Sequence, residues 1–378
     1  MWKIDRMDKQ YRKRDKRIEY SDLRKAKGLM RPGYVIFPVL LGLIVIGIMF
    51  FSEYKDFDMS LIKITNQSIF YFALAWLCMV GRDFGLTWRF RSLTGHDITW
   101  GQALRVNMLC EFTSAVTPST VGGSSFGMIY LKGEGLLLGR ATTIMMTTLF
   151  LDELFFVLAC PVGMMLIPFE ELFASTDLKF AQTLRFTFWL VYAGLVLWTL
   201  VLFVGLFVKP QFMKALFRKV FSLKFLRKWK EAALEMGDNF IATSVELKQK
   251  KLWWWIRAFF ATALSWLSRY LVVNALFLAF AVDADQLLVL LRQLVVWVVL
   301  TISPTPGGSG LSEWIFTKYY GDMIANTSLA VIMALCWRFV SYYIYLIIGV
   351  LVIPSWLRGW TRRIRLEKLK KTKENGNN

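Results

Sequence analysis

The sequence predicts an all-α integral membrane protein: about six full transmembrane helices plus two oppositely oriented re-entrant helical hairpins, related as an inverted repeat, with N and C termini cytoplasmic. Three observations predict it. Hydrophobic residues make up 56% of the 378, more than a water-soluble chain of this length carries on average. Apolar runs of membrane-crossing length recur along the chain. Lys and Arg are banked between those runs rather than spread over them, the pattern that sets membrane orientation.

At about 1.5 Å per residue, roughly 20 residues cross the hydrocarbon layer. Residues 1–31 form a basic segment with twelve Lys/Arg. The first run, Gly33–Phe51, has no charge over nineteen residues and follows that segment directly, which fits a retained spanning helix rather than a cleaved signal peptide. Ser68–Phe90, Arg140–Pro168, Leu184–Val208, Leu252–Ala281 and Thr327–Ile353 supply the other spans. Two further regions, 101–133 and 286–320, are each split by a Pro/Gly loop into halves of roughly 13 to 17 residues, on the short side for crossing alone. Each is expected to turn back as a hairpin. The organisation is a first membrane half (32–208), a basic linker (209–251), a second half (252–353) and a basic tail (354–378).

Charge supports this layout. The linker carries eleven Lys/Arg and the stretch Arg358–Lys373 carries eight, whereas the intervening loops hold Glu53, Asp56, Asp58, Glu170, Glu171, Asp177, Asp283 and Asp285. If both hairpins turn back, six crossings place every basic block in the cytoplasm and the acidic loops outside. The hairpins then enter from opposite faces. The net charge of +19 is accounted for by topology, so no nucleic-acid partner is expected. In the linker, Phe212, Leu216 and Val220 recur every four residues among Lys214, Arg218 and Lys219, predicting an amphipathic helix on the inner leaflet with anionic lipids as partners. The terminal stretch from Arg362 reads as frayed helix or disorder. Cys78, Cys110, Cys160 and Cys336 all fall in apolar segments and read as buried thiols.

The two broken regions resemble each other. ALRVNMLCEFTSAVTPSTVGGSS (Ala103–Ser125) and LLRQLVVWVVLTISPTPGGSG (Leu290–Gly310) each run Leu-Arg, a mostly apolar stretch, Thr/Ser-Pro and Gly-Gly-Ser. Arg105 precedes Pro118 by thirteen residues, and Arg292 precedes Pro304 by twelve. Broken backbone at membrane depth is tolerated only where protein buries it or it lines a cavity. Half-helices starting near Gly123 and Gly308 are expected to aim free N–H groups at an anion, with Gly122, Ser124, Ser125, Pro304, Thr305, Pro306, Gly307 and Ser309 shaping the loops. Ionisable residues inside the spans are costly unless they face the bundle or water. Arg105, Arg292, Arg269 and Arg338 are therefore the candidate phosphate ligands, and Glu111, Asp152, Glu153 and Glu313 the candidate gating or proton-coupling groups. The alternative use of these charges, pairing with one another, stays open.

The stretches TPSTVGGSSFGMIYLKGEGLLLGRA (Thr117–Ala141) and SPTPGGSGLSE (Ser303–Glu313) resemble the lysylphosphatidylglycerol synthase transmembrane region and its stand-alone flippase-like relatives. The resemblance covers most of residues 33–353. It implies an α-helical membrane fold with re-entrant segments and movement of a phospholipid across the cytoplasmic membrane. No soluble acyltransferase-like domain follows, so lysyl transfer is not implied. Positions often charged in relatives are Gly123, Ser124 and Ser125 here, and a Glu-Arg pair common before the helix aspartate is replaced by Thr148 and Leu149, while Asp152 remains.

Enzymatic readings fail on context. Gly123–Gly127 (GSSFG) fits G-x-S-x-G, but that motif needs a strand–turn–helix and a His partner, and the single histidine, His96, lies in a loop upstream. Walker A, HExxH and complete GxGxxG patterns are missing, so no catalytic residue, metal or cofactor is expected. The reading is a membrane lipid transporter of flippase or scramblase type in the cytoplasmic membrane, acting on phospholipids or another anionic lipid, with a homodimer left open. Its alternatives are a secondary transporter of a small anionic solute and a non-transporting partner of a lipid-modifying or glycosyltransferase enzyme.

Overall fold

A computed structural model of the chain describes residues 65–117, 121–222, 247–324 and 326–376, with isolated positions elsewhere. Among the described residues all regular structure is helical, and five helices are long and apolar enough to cross a membrane. These are α1 (Asn66–Leu93), α4 (Leu138–Leu166), α6 (Leu178–Phe203, continued by a π turn, Val204–Val208), α8 (Leu252–Ala279) and the composite of α11 (Thr327–Arg338), a π segment (Phe339–Tyr343) and α12 (Ile344–Gly376). The expected span Gly33–Phe51 lies outside the described residues. The tail expected to fray from Arg362 instead continues α12 as helix.

Helix α1 starts at Thr65, whose hydroxyl accepts from the Ser68 N–H at 3.1 Å. It packs closely against α8, and its sequence shows why. Gly81 and Gly85 lie one turn apart on the contacting face and meet Ala261, Ser265 and Ser268. Between helices in lipid there is little hydrophobic drive, so close backbone approach over small residues supplies the packing. A Cβ at Gly85 would stand 2.9 Å from the Ala261 carbonyl oxygen.

The two broken regions are hairpins. The first comprises α2 (Trp100–Val116), opened by a capping box between Thr99 and Gln102, and α3 (Val121–Gly133). The second comprises α9 (Gln286–Leu300), capped by Asp285, and α10 (Leu311–Tyr319). Each is closed at its base by the arginine that the sequence match aligns. Arg105 Nε donates to Glu134 at 2.7 Å across 29 positions. Arg292 donates to both oxygens of Asp322 at 2.6 and 2.7 Å across 30 positions.

The tips meet. Gly307 N–H donates to the Thr117 carbonyl at 3.3 Å, and the Tyr342 hydroxyl donates to the Ala115 carbonyl at 3.0 Å while accepting from Ser309 at 3.0 Å. The touching tips bring the two broken helices together inside the bundle. Gly307 has φ +56, and a Cβ there would overlap the Tyr342 ring.

Beyond the first half, α7 (Pro210–Val220) places Leu216 against a small cluster of Phe150, Leu202, Leu206 and Leu247, leaving Phe212 and Arg218 exposed.

Replacing Gly85 with Leu overpacks the α1/α8 seam and should cost about 1–3 kcal/mol. It lowers the melting temperature of the detergent-purified protein. Gly101→Ala, where an added Cβ meets nothing within 4 Å, leaves the temperature unchanged or raises it slightly.

Candidate functional site

Beneath the hairpin tips lies a cavity of about 210 Å³, lined by residues of α1, α2, α4, α8, α9, α11, the π segment, the start of α12 and the second hairpin loop. Its walls are largely apolar, with Leu86, Phe90, Met145, Leu149, Phe156 and Leu300. Its polar surface is a set of charges. Arg89, which lines it, donates to both oxygens of Asp152 at 2.6 and 3.2 Å and to Thr262 at 3.1 Å. Asp152 also accepts from the Trp266 indole at 2.9 Å.

A second group surrounds Glu111. Fully buried Arg82 pairs with Glu111 and with Asp83, the latter at 2.8 Å. Asp83 further accepts from Tyr345 at 2.7 Å and Asn107 at 3.3 Å. Arg269 approaches the same Glu111 oxygen as Arg82 but stands at 3.7 Å, beyond hydrogen-bond reach. The Arg269 guanidinium lies 4.1 Å from the Trp297 ring centre and 5.6 Å from that of Trp266. Among the described residues it makes no hydrogen bond, and its Nε is enclosed without a partner. Aromatic faces stabilise a cation electrostatically but occupy none of its five donors.

The third group holds the second loop. Arg338 donates from Nε to Glu313 at 3.0 Å and from Nη2 to the Gly307 carbonyl at 3.0 Å, with its guanidinium 3.7 Å from the Tyr342 ring centre. Glu313 accepts from the Gly310 N–H and from Ser312, both at 2.8 Å. The carboxylate thus caps its own helix start and neutralises the positive end of α10. The π segment directly after Arg338 turns Ser341 and Tyr342 toward the cavity, a use of the π turn common at functional positions.

Several sequence-predicted site residues fall elsewhere. Arg105 and Arg292 do not line the cavity: they are the base clamps, and Arg292 also donates to the Tyr319 and Glu171 carbonyls at 2.7 and 3.0 Å. The backbone N–H groups expected to face an anion in the second loop are engaged, Gly307 by Thr117 and Gly308 by the Thr305 carbonyl at 3.0 Å. Pro304, Thr305, Pro306 and Ser309 build that turn, with Ser303 and Thr305 hydroxyls 3.1 Å apart, while Gly307 and Gly308 reach the cavity wall. Gly122, Gly123, Ser124 and Ser125 are helical in backbone, in the first turns of α3; their side chains lie outside the described residues. Arg269, Arg338, Glu111, Asp152 and Glu153 all line the cavity, and Glu313 sits buried behind it. The sequence reading overlooked Arg82, Asp83 and Arg89. Their signal was available, since three charges within the apolar run Ser68–Phe90 are as costly as those singled out.

The family described as lysylphosphatidylglycerol synthase TM region matches residues 35–349, which include both hairpins and every cavity-lining residue. The chain belongs to this family. A UPF0104 membrane protein of Archaeoglobus fulgidus is 22% identical over 326 residues, covering 83% of this chain and 94% of the relative. The match by family and the apolar helices together make this a multi-pass membrane protein.

Removing one partner of a buried ion pair strands the other. Arg338→Leu should therefore destabilise by about 3–5 kcal/mol, and the Arg338→Leu/Glu313→Leu double variant by much less than the two single losses combined. Melting curves of the three purified variants check this.

Proposed function

We propose that the protein moves an anionic lipid, a phospholipid or another lipid with a negative headgroup, across the cytoplasmic membrane in the manner of a flippase or scramblase. The observation that carries this reading is Arg269. A guanidinium without a hydrogen bond, beside a carboxylate it does not quite reach, in a cavity at the meeting point of two broken helices, is a prepared site for an anion. Arg89 and Arg338 line the same space, each already held by its own carboxylate. They contribute field rather than free donors.

The apolar walls favour a lipid over a free anion. A soluble anion gains nothing from Leu86, Phe90, Phe156 and Leu300, whereas the glycerol and upper acyl chains of a lipid meet in them the apolar surroundings they have in the bilayer, so only the headgroup has to be resolvated by the protein. In this mechanism the headgroup phosphate displaces Glu111 from the neighbourhood of Arg269. Glu111 keeps Arg82, so the exchange strands no charge. The hairpins, clamped at their bases, act as rigid pieces that pass the headgroup between the two sides. Driving force comes from the lipid gradient, the membrane potential or a proton gradient.

The test is reconstitution in liposomes carrying headgroup-labelled phosphatidylglycerol, with dithionite added outside. Quenching should exceed the outer-leaflet share for the wild type. A hydrogen bond to a charged group contributes about 1.5–3 kcal/mol, so Arg269→Ala should slow lipid movement roughly ten- to a hundredfold without loss of folded protein. Arg292→Ala, by contrast, removes a base clamp and should act mainly by lowering the melting temperature. Equal rates for wild type and Arg269→Ala would contradict the assignment, as would protection of the purified protein against heat by inorganic phosphate but not by lipid.

A further inference from the structure

The charges at the centre of the bundle do not balance, and the imbalance falls on one residue. Arg82, Arg89, Arg269 and Arg338 have as counterparts Asp83, Asp152, Glu111 and Glu313, one carboxylate for each arginine. Glu153 is a fifth carboxyl with no arginine. It lines the cavity, forms no ion pair among the described residues, and its Oε2 is enclosed without a hydrogen-bond partner.

The groups around it offer no spare positive charge. On its own helix, Asp152 is adjacent and already holds Arg89 of α1. From α2 the cavity receives Glu111 and the thiol of Cys110, from α8 Arg269, from α11 Arg338, and from the segments that follow the hydroxyls of Tyr342 and Tyr345. Helix α9 contributes Trp297 and Leu300, neither of which titrates. Arg82 and Asp83 lie behind Glu111, and Glu313 behind Arg338. An ionised Glu153 would be an uncompensated charge at membrane depth.

We propose that Glu153 is a proton-binding site that couples proton binding to headgroup binding. This rests on the lipid-transport reading and adds its ion. With one proton on Glu153 the central network is neutral. An anionic headgroup arriving at Arg269 adds one negative charge to the same cavity, so proton and headgroup favour each other's binding, as reciprocal linkage requires. The step is simple: a carboxylate and a proton give a carboxylic acid, and the proton leaves when the cavity opens to the more alkaline side. One headgroup charge and one proton then cross together, so a pH difference drives the lipid without net charge movement.

Two measurements on the full chain in nanodiscs test this. Infrared spectroscopy of the lipid-binding-competent protein at neutral pH should show a protonated-carboxyl stretch that Glu153→Gln abolishes. Affinity for short-chain phosphatidylglycerol should fall as pH rises, approaching about tenfold per unit for one linked proton, while Glu153→Gln, which mimics the protonated form, binds with no such slope. A wild type lacking the slope, which needs no variant to observe, overturns the proposal. So does a stretch that survives in Glu153→Gln. Tighter binding of short-chain phosphatidylethanolamine than of phosphatidylglycerol, lost in Glu153→Gln, would make Glu153 the receptor of a lipid ammonium and overturn the proton assignment. If neither protein binds phosphatidylglycerol while the stretch behaves as expected, the lipid-transport reading fails and the coupling fails with it.

Discussion

In a bilayer a charge cannot be left to water, and the central part of this protein is arranged around that constraint. Arg82, Arg89 and Arg338 are buried within the helical bundle and Arg269 is largely enclosed beside them, and each has a carboxylate within 4 Å. Three of these contacts join separate elements. Arg89–Asp152 ties α1 to α4, Arg82–Glu111 ties α1 to α2, and Arg338–Glu313 ties α11 to the second hairpin. Buried pairs of this kind add little net stability compared with good apolar packing, but they make misassembly expensive, because any other arrangement strands a charge. Packing stability comes instead from close helix contacts such as Gly81 and Gly85 on α1.

The same constraint distinguishes structural from functional charge. Arg105 and Arg292 are each held by a carboxylate at the hairpin bases, and Arg338 donates to the second loop and its cap. Arg269 is the exception, held by aromatic faces and a carboxylate at 3.7 Å. A group kept charged but not hydrogen-bonded is ready to accept an anion without first breaking a strong bond. That is preorganisation in its usual sense: the cost of placing the charge is met by folding rather than at the moment of binding.

Much of the fold was legible in the sequence because the bilayer imposes a length on it. Three of the five spans agree with the apolar runs to within a few residues; α6 begins six residues earlier at Leu178 because Asp177 caps it, and the last span starts at Thr327 as expected but continues past Ile353 as α12. The two folded-back helix pairs were legible from Pro and Gly breaking apolar runs. What those arginines do was not legible. Glu134 and Asp322 lie 29 and 30 positions away and become neighbours only when each hairpin folds back, so Arg105 and Arg292 read as free ligands until then. The Gly-Gly loop was misread for a related reason. Its N–H groups face outward on paper, but Thr117 of the other hairpin and Thr305 of the loop itself take them. Arg82, Asp83 and Arg89 were overlooked because an average over the run Ser68–Phe90 hides single charges.

The most direct measurement is an experimental structure of the full chain in nanodiscs made with phosphatidylglycerol. A headgroup phosphate should stand at about 2.7–2.9 Å from an Arg269 nitrogen, with its glycerol against Phe90, Phe156 and Leu300 and with Glu111 still on Arg82. A cavity empty of lipid, with ordered headgroups only along the outer surface of the bundle, would contradict the central claim that this cleft carries the lipid.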